Sequence, residues 1–467
     1  MPTSRRDFLR RTGCLLGGAA IASTLDGFKL LSAYAQDSAA DDYRALVCVF
    51  LNGGNDGNNM VVPFDDARYN QYNAARGAAG LAIPKASLLA VNPASGNQYG
   101  LHPNMPELQT LFGQGKLAVV CNTGPLVEPL TRATYQSGAG KRPLQLFSHS
   151  DQVNLWQTSI ANNASQTGWG GRTADRTAPL NGAATFPQVV SIAGISTFVI
   201  GANARPLAIS DSNTALSSVL PLNNAPNATT AETNARRAAF DRLRALEGGV
   251  VLVKASSDTT SSALQTRDAL ISAPAREFPA FIQTDSLARQ LEQVARLIAL
   301  RDTFGVKRQI FFCSLGGFDT HANQRNAGVP NNQDSLLQQV SRALKAFYDA
   351  TVELGVESSV TTFTLSDFGR TLQPAGAGAG VGSDHGWGNH QFVMGGAVRG
   401  NDFYGSFPTL ALGGPDDTDT RGRWIPTTSV EQYAATLAAW YGLSASDLPA
   451  VFPLIGRFST PTLGFML

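Results

Sequence analysis

Three apolar or β-branched runs in this chain each stop at a loop that carries an aspartate. That arrangement constrains the fold more than any other feature. Residues 45–51 end at Asn52-Gly53-Gly54-Asn55-Asp56-Gly57. Residues 309–314 end at Leu315-Gly316-Gly317-Phe318-Asp319, and residues 359–365 at Ser366-Asp367. A run of this length, closed by Gly, Asn and Asp, reads as a buried strand feeding a turn. Further strands are expected at 116–122, 187–192 and 197–200. Amphipathic helices separate them. Residues 286–303 place Leu287, Leu291, Val294 and Ile298 on one face. Residues 334–354 do the same with Leu337, Val340, Leu344, Phe347 and Thr351. A last helix is expected over 430–440. Alternating strand and helix means an α/β layered fold with a largely parallel sheet. Ligands collect at the carboxyl ends of such strands, where the aspartates lie. Residues 202–283 break the pattern. They are rich in Asn, Ala, Thr and Ser with weak periodicity, and read as an inserted cap with mobile surface loops.

The N-terminus reads as an export signal. Ser4-Arg5-Arg6-Asp7-Phe8-Leu9-Arg10 is a twin-arginine motif, an apolar stretch runs from Cys14 to Leu31, and Ala33-Tyr34-Ala35 is a small-x-small cleavage site. Residues 1–35 are therefore a signal peptide and 36–467 the mature chain, periplasmic or secreted. Gly17, Gly18 and Asp26 interrupt the apolar stretch, so no stable membrane span is expected after cleavage. The twin-arginine translocase, the partner during export, carries folded proteins. It suits a chain that takes up a metal before export. Residues 1–35 hold five of the 36 Lys and Arg and two of the 35 Asp and Glu, so the mature chain carries 31 against 33, a net of −2. Charged residues are 15% of the whole, against roughly 25% in a typical globular chain. Nucleic acid is therefore not an expected partner. Cys48, Cys121 and Cys313 each sit in an apolar run without a CxxC pair and read as small buried residues.

Histidine is scarce, with five in the chain, so its neighbours are informative. Four lie beside acids or hydroxyls, in Ser148-His149-Ser150-Asp151, Asp319-Thr320-His321 and Ser383-Asp384-His385-Gly386-Trp387-Gly388-Asn389-His390. His102, before Pro103, reads as a packed helix start. Asp and His are ligands that borderline divalent metals accept when several strand ends bring them together. Asp56, Asp319, His321, Asp367 and His385 could meet above one sheet edge. Each also has a plainer reading: Asp56 as a turn residue, Asp319 and His321 as a hydrogen-bonded loop pair, Asp367 as the cap of a helix opened by Phe368-Gly369-Arg370, and Asp384-His385 as a surface turn.

These stretches, with Leu101-His102-Pro103, Gly168-Trp169-Gly170-Gly171-Arg172 and Ser366-Asp367-Phe368-Gly369-Arg370-Thr371, resemble the bacterial domain of unknown function 1501 family (DUF1501). That family is exported by the twin-arginine route and similar in fold to the alkaline phosphatase and sulfatase superfamily. The resemblance implies a three-layer sandwich and a two-metal site. It implies Asp56 as first ligand and Asp319 with His321 as the middle pair. An Asp-His dyad then falls at Asp367, where Phe368 stands in the histidine's place and His385 is the last ligand. Alternatively the dyad is Asp384-His385 with His390 last. The first placement is preferred because 361–365 is a convincing strand. The ions implied are zinc first, with calcium, magnesium or manganese as alternatives. Ser148 is the candidate nucleophile, at the start of a helix expected over 151–158, although Ser150 could cap that helix and leave Ser148 a buried hydroxyl. Arg370 and Arg172 could add positive charge at an anion site, or serve as structural ion pairs. No sulfatase-type Cys-x-Pro/Ser-x-Arg signature is present. The expectation is an exported metal-dependent hydrolase of phosphate or sulfate esters, acting on a small-molecule or envelope anionic ester. The alternative is a catalytically inactive, metal-stabilised envelope binding or assembly protein.

Overall fold

The computed structural model describes residues 42–220, 230–246 and 250–467, of which Arg44–Leu467 form one compact unit. The twin-arginine motif and cleavage site lie outside the described residues. A large sheet organises the unit. Its strands are β1 (Arg44–Leu51), β2 (Leu117–Gly124), β3 (Val189–Ser191), β4 (Leu207–Ala208), β5 (Arg308–Leu315), β6 (Val360–Ser366), β9 (Asn389–Gly395), β10 (Asp402–Tyr404) and β11 (Thr428–Ser429). Between β6 and β9, β7 (Arg370–Pro374) and β8 (Ser383–His385) form a separate antiparallel hairpin. The order across the large sheet is β10-β2-β9-β6-β1-β5-β3-β4, with β11 also on β2. Every pairing is parallel except those of β9, which runs against β2 and β6.

The principal helices are α1 (Asp66–Arg76), α2 (His149–Thr158), α3 (Trp169–Thr177), α4 (Ala231–Ala245), α5 (Val251–Ile271), α6 (Ser286–Ala299), α7 (Gln333–Glu353) and α8 (Val430–Tyr441). They cover both sheet faces, so β1 is buried along almost its whole length. Leu46, Cys48 and Phe50 of β1 pack with Trp156, Trp169, Phe198, Tyr433 and Leu437. On the other side α6 lies along β5 and α7 packs on α6. Each large apolar side chain buried this way is worth about 1.5–3 kcal/mol. Cys48, Cys121 and Cys313 are all buried and free. No helix among the described residues is long and apolar enough to cross a membrane.

Four expectations are corrected. Residues 197–200 are not a strand: Thr197–Val199 is a 3-10 turn whose Phe198 ring packs edge-on to Trp169 at 4.8 Å. The segment packs instead on the glycines at the start of α3, where Phe198 and Ile200 lie against Gly168, Gly170 and Gly171. The helix expected over 286–303 ends at Ala299, and Arg301–Phe304 forms a separate turn. No helix follows Asp367, because Arg370 enters β7 instead. The cap region is not only loops. It contains α4 and α5, which period reading missed because Ala, Ser and Thr mark no apolar face.

Candidate metal centre

Register brings the strand-end loops level. Leu51 at the end of β1 pairs with Leu315 of β5 on one side and with Ser366 of β6 on the other. The three loops then leave the sheet at the same height. Because β9 is antiparallel, its first residues and the preceding β8 lie at this same edge. Hydrogen bonds lock the loops together. Ser366 Oγ donates to Leu51 O and accepts from Asn55 N, and Gly53 N donates to Asp367 Oδ1 at 3.0 Å. Gly53 has φ +114°, and a Cβ there would collide with the Asp319 backbone nitrogen. Only glycine allows that approach.

Three imidazoles and one carboxylate converge at this edge. His149 Nε2, His321 Nε2 and His385 Nε2 lie 3.4, 3.3 and 3.6 Å from Asp319 Oδ1. His321 Nε2 and His385 Nε2 are 2.8 Å apart. Donors in a tetrahedral zinc site, at bonds of about 2.0–2.1 Å, sit about 3.3–3.4 Å from one another. His149, Asp319 and His385 each offer a ligand atom, and these atoms all lie within 4.8 Å of one another. The centre is open to solvent: the Asp319 side chain is 49% exposed.

The opposite ring nitrogens fix the tautomers. His385 Nδ1 is 2.7 Å from Phe147 O, His149 Nδ1 is 2.7 Å from Asp367 Oδ2, and His321 Nδ1 is 2.9 Å from Asp384 Oδ1. A carbonyl and two carboxylates can only accept, so each Nδ1 carries the hydrogen. In the neutral rings each Nε2 is then a bare lone pair. Three lone pairs and a carboxylate oxygen face one another, and His149 Nε2 is buried with no hydrogen-bond partner. A cation satisfies that set of acceptors. Carboxylate- or carbonyl-backed histidines are the arrangement in which imidazole binds metal.

Electrostatics divide the histidines. The hydrogen bond to Asp367, opposed by burial, holds the His149 imidazole above its ordinary pKa. Burial, with Arg370 and the other two rings, holds His385 below. Burial pushes the Asp319 carboxyl up, but the Arg370 guanidinium, His149 and His321 outweigh it and keep it low. Asp384 is likewise kept low by Arg421 and His321 against its burial.

The remaining sequence candidates fall elsewhere. Asp56 is fully buried and paired with Arg76 of α1, Oδ1 meeting Nη2 at 3.0 Å, while its other oxygen accepts from Arg76 Nη1 and Gln324. No oxygen of Asp56 is left for the histidine cluster. His390 is buried, accepts from Asn122 N and stacks on Phe407 at 4.6 Å; burial drops its pKa to about 3. Asp367 and Asp384 stand behind the histidines as acceptors. Arg370 is buried and committed, donating to Gly54 O, Ser383 O, Gly53 O, Phe318 O and Asp319 Oδ1. It ties three loops rather than offering charge to an anion. Arg172 donates to the carbonyls of Val451, Thr167 and Thr158, also structural. Ser148 caps α2 positionally and donates to Asp151 Oδ2 at 2.6 Å. His149, one residue later, was not among the expected ligands, because it arrives on a helix start rather than a strand end. Phe368 packs against both His149 and His385, with ring centroids 4.7 and 4.5 Å away, while the two imidazoles themselves meet edge-on at 4.4 Å.

Among solved structures, the chain is similar to the C-terminal periplasmic domain of EcEptC from Escherichia coli in complex with Zn. The identity is 10% and the TM-score 0.33, over 86% of this chain and 83% of that one. It is also similar to the PsFucS1 sulfatase from Pseudoalteromonas sp., at 10% identity and TM-score 0.30 over 88% and 76%. A third similarity is to the lipoteichoic acid synthase LtaP from Listeria monocytogenes, at 8% identity and TM-score 0.33 over 87% and 75%. No curated protein matches the sequence. A family model matches residues 43–420, and the chain belongs to the family described as protein of unknown function (DUF1501).

Proposed function

We propose that this protein is an exported hydrolase of phosphate or sulfate esters that works with one divalent ion held by His149, His321, His385 and Asp319. The observation that carries the reading is the convergence of three Nε2 lone pairs on Asp319 Oδ1, each ring held from behind by an acceptor. Three imidazoles suit zinc and disfavour calcium and magnesium, which prefer oxygen. A second ion, as the superfamily resemblance implies, lacks support: Asp56 is spent on Arg76, and Phe368 packs against His149 and His385. Bound there, a divalent ion supplies Lewis-acid polarisation and a lowered pKa for water.

The chain's own residues orient and hold. Arg370 keeps Asp319 ionised and aimed at the histidines. Arg421 pairs with Asp384, and Arg423 pairs with Asp419 and donates to His385 O, so the two brace the loops that carry His321 and His385. Hydrolysis needs only water as co-reactant: ester plus water gives an alcohol and phosphate or sulfate. Ser148 is engaged with Asp151, so direct attack by water is the simpler reading, and Ser148→Ala should then retain turnover. Export rests on the twin-arginine motif and cleavage site of residues 4–35.

The test is elemental analysis of the purified protein beside Asp319→Ala, followed by a phosphate and sulfate ester screen. One ion per chain, lost in the variant together with turnover, is expected. No metal in either protein overturns the reading. A second reading, a metal-stabilised but inactive envelope protein, is favoured by Phe368. It predicts the ion without any turnover.

A further inference from the structure

Among the described residues, seven other than glycine have positive φ, and four of them are asparagine, which tolerates it. Phe147, at φ +73°, is the one aromatic residue in that group. A bulky side chain there sets Cβ against the backbone, so the conformation persists only where its surroundings enforce it. Gln145, two residues earlier, is also left-handed, at +45°. Both belong to the turn over 144–147 that leads into α2 and His149.

The surroundings hold Phe147 by its ring. The ring packs against the buried cluster of Leu126, Val127, Trp387, Ile425 and Phe458. The Arg423 guanidinium lies over it, Cζ 4.7 Å from the ring centre. Arg423 Nε in turn donates to His385 O at 2.9 Å. The backbone of His385 is thus fixed by Arg423 and by its pairing with Arg370 between β7 and β8. Neither contact fixes the imidazole, which keeps its own side-chain torsions. The Phe147 carbonyl does that, accepting from His385 Nδ1 at 2.7 Å. Behind His149 and His321 the acceptors are the carboxylates of Asp367 and Asp384, each carried on a side chain with rotamers of its own. A carbonyl has no rotamer. Backbone torsions alone set its direction, and at Phe147 they are left-handed.

We infer that Phe147 is a positioning residue of the metal centre: its anchored ring holds a left-handed backbone whose carbonyl fixes the His385 imidazole with Nδ1 protonated and Nε2 bare towards Asp319. The inference rests on the reading that these histidines hold a divalent ion. Phe147 acts through His385 and touches neither ion nor ester.

The test is NMR of the full-length protein with isotope-labelled histidine, metal-free and during titration with zinc. The chain's five histidines keep such a spectrum simple. Wild type is compared with Phe147→Tyr, which keeps ring and backbone, with Phe147→Pro, which cannot adopt positive φ, and with Phe147→Gly, which can but has no ring. Expected in metal-free wild type and in Phe147→Tyr is His385 with its proton on Nδ1. In Phe147→Pro and Phe147→Gly that proton should spread over both ring nitrogens, and zinc affinity should fall about tenfold or more. Phe458→Leu, in the same apolar cluster, is the control for packing alone: its melting temperature should fall while the His385 tautomer and the zinc affinity stay as in wild type. A wild-type tautomer and affinity in Phe147→Gly overturns the proposal, and this variant reads it even where Phe147→Pro does not fold. So does a Phe458→Leu that disturbs His385 as strongly, which would reduce Phe147 to packing. A wild type that binds no zinc overturns the metal reading and this role with it; that failure is recognised by a metal-free spectrum in which the proton on His385 Nδ1 still depends on Phe147.

Discussion

Asp56 and Asp319 sit on the same kind of turn, five and four residues beyond their strands, and their neighbours decide what each does. Sequence reading cannot separate them, because Arg76 is reached only when α1 folds back over the β1 loop. Asp56 lost its place as a ligand to that ion pair, while His149 joined the cluster without a strand-end signal. The distinction predicts opposite phenotypes. Asp56→Asn leaves the Arg76 charge buried without its counter-ion and should destabilise the protein by about 3–5 kcal/mol. The folded fraction should keep its ion. Asp319→Asn removes the carboxylate that faces buried Arg370, but Arg370 keeps four carbonyl acceptors and the Asp319 side chain is half exposed, so the stability loss without metal should be smaller than in Asp56→Asn, yet the ion should be lost. Urea unfolding and elemental analysis on the two variants decide the matter. Loss of the ion in Asp56→Asn at full stability would restore Asp56 to the ligand set.

At the scale of elements, legibility followed apolar patterning. Helices α6, α7 and α8 announce themselves by period, and β1, β5 and β6 by apolar runs closed with turn residues. The pair α4 and α5 does not, since no face of either is apolar along its length. Helix α8 shows a feature that period cannot reveal. Ser429 and Gln432 form its capping box, and between them Glu431 is almost fully buried. Burial pushes the Glu431 carboxyl up to about 8, despite the Leu454 N–H and the nearby Arg172 and Arg457. Its folded pKa thus lies above its unfolded one, so the neutral carboxyl favours the fold. That contribution is complete below the ordinary glutamate range and is lost as pH rises towards and through about 8. The slope from this one group is at most about 1.4 kcal/mol per pH unit. Glu431→Gln keeps an acceptor for Leu454 N–H and cannot ionise. Wild type should lose stability relative to this variant between pH 5 and 9. Parallel melting curves across that range would show that Glu431 is charged in the native protein.

For the whole molecule, the candidate centre is also a crosslink. His149 comes from α2, Asp319 and His321 from the loop after β5, and His385 from β8, while Asp367 and Arg370 bring in the ends of β6 and β7. An ion held there ties together segments more than 200 residues apart in the chain, counting from His149 to His385. That architecture was legible only in part. The strand-end acids pointed to the edge at which the three imidazoles converge, but which acids remain free depends on long-range partners such as Arg76. A ligand that binds only the folded state stabilises it by RT ln(1 + [L]/Kd), about 2.7 kcal/mol at one hundred times Kd. Chelation should therefore lower the melting temperature, and added zinc should restore it in a concentration-dependent way. The loops at 53–55, 319–321 and 383–390 should gain hydrogen-exchange protection with the ion, ahead of the sheet they leave. In His385→Ala the chelator and the zinc should both be without effect. A wild-type melting curve indifferent to both would mean that protons, shared among the three imidazoles, satisfy the centre in place of a metal.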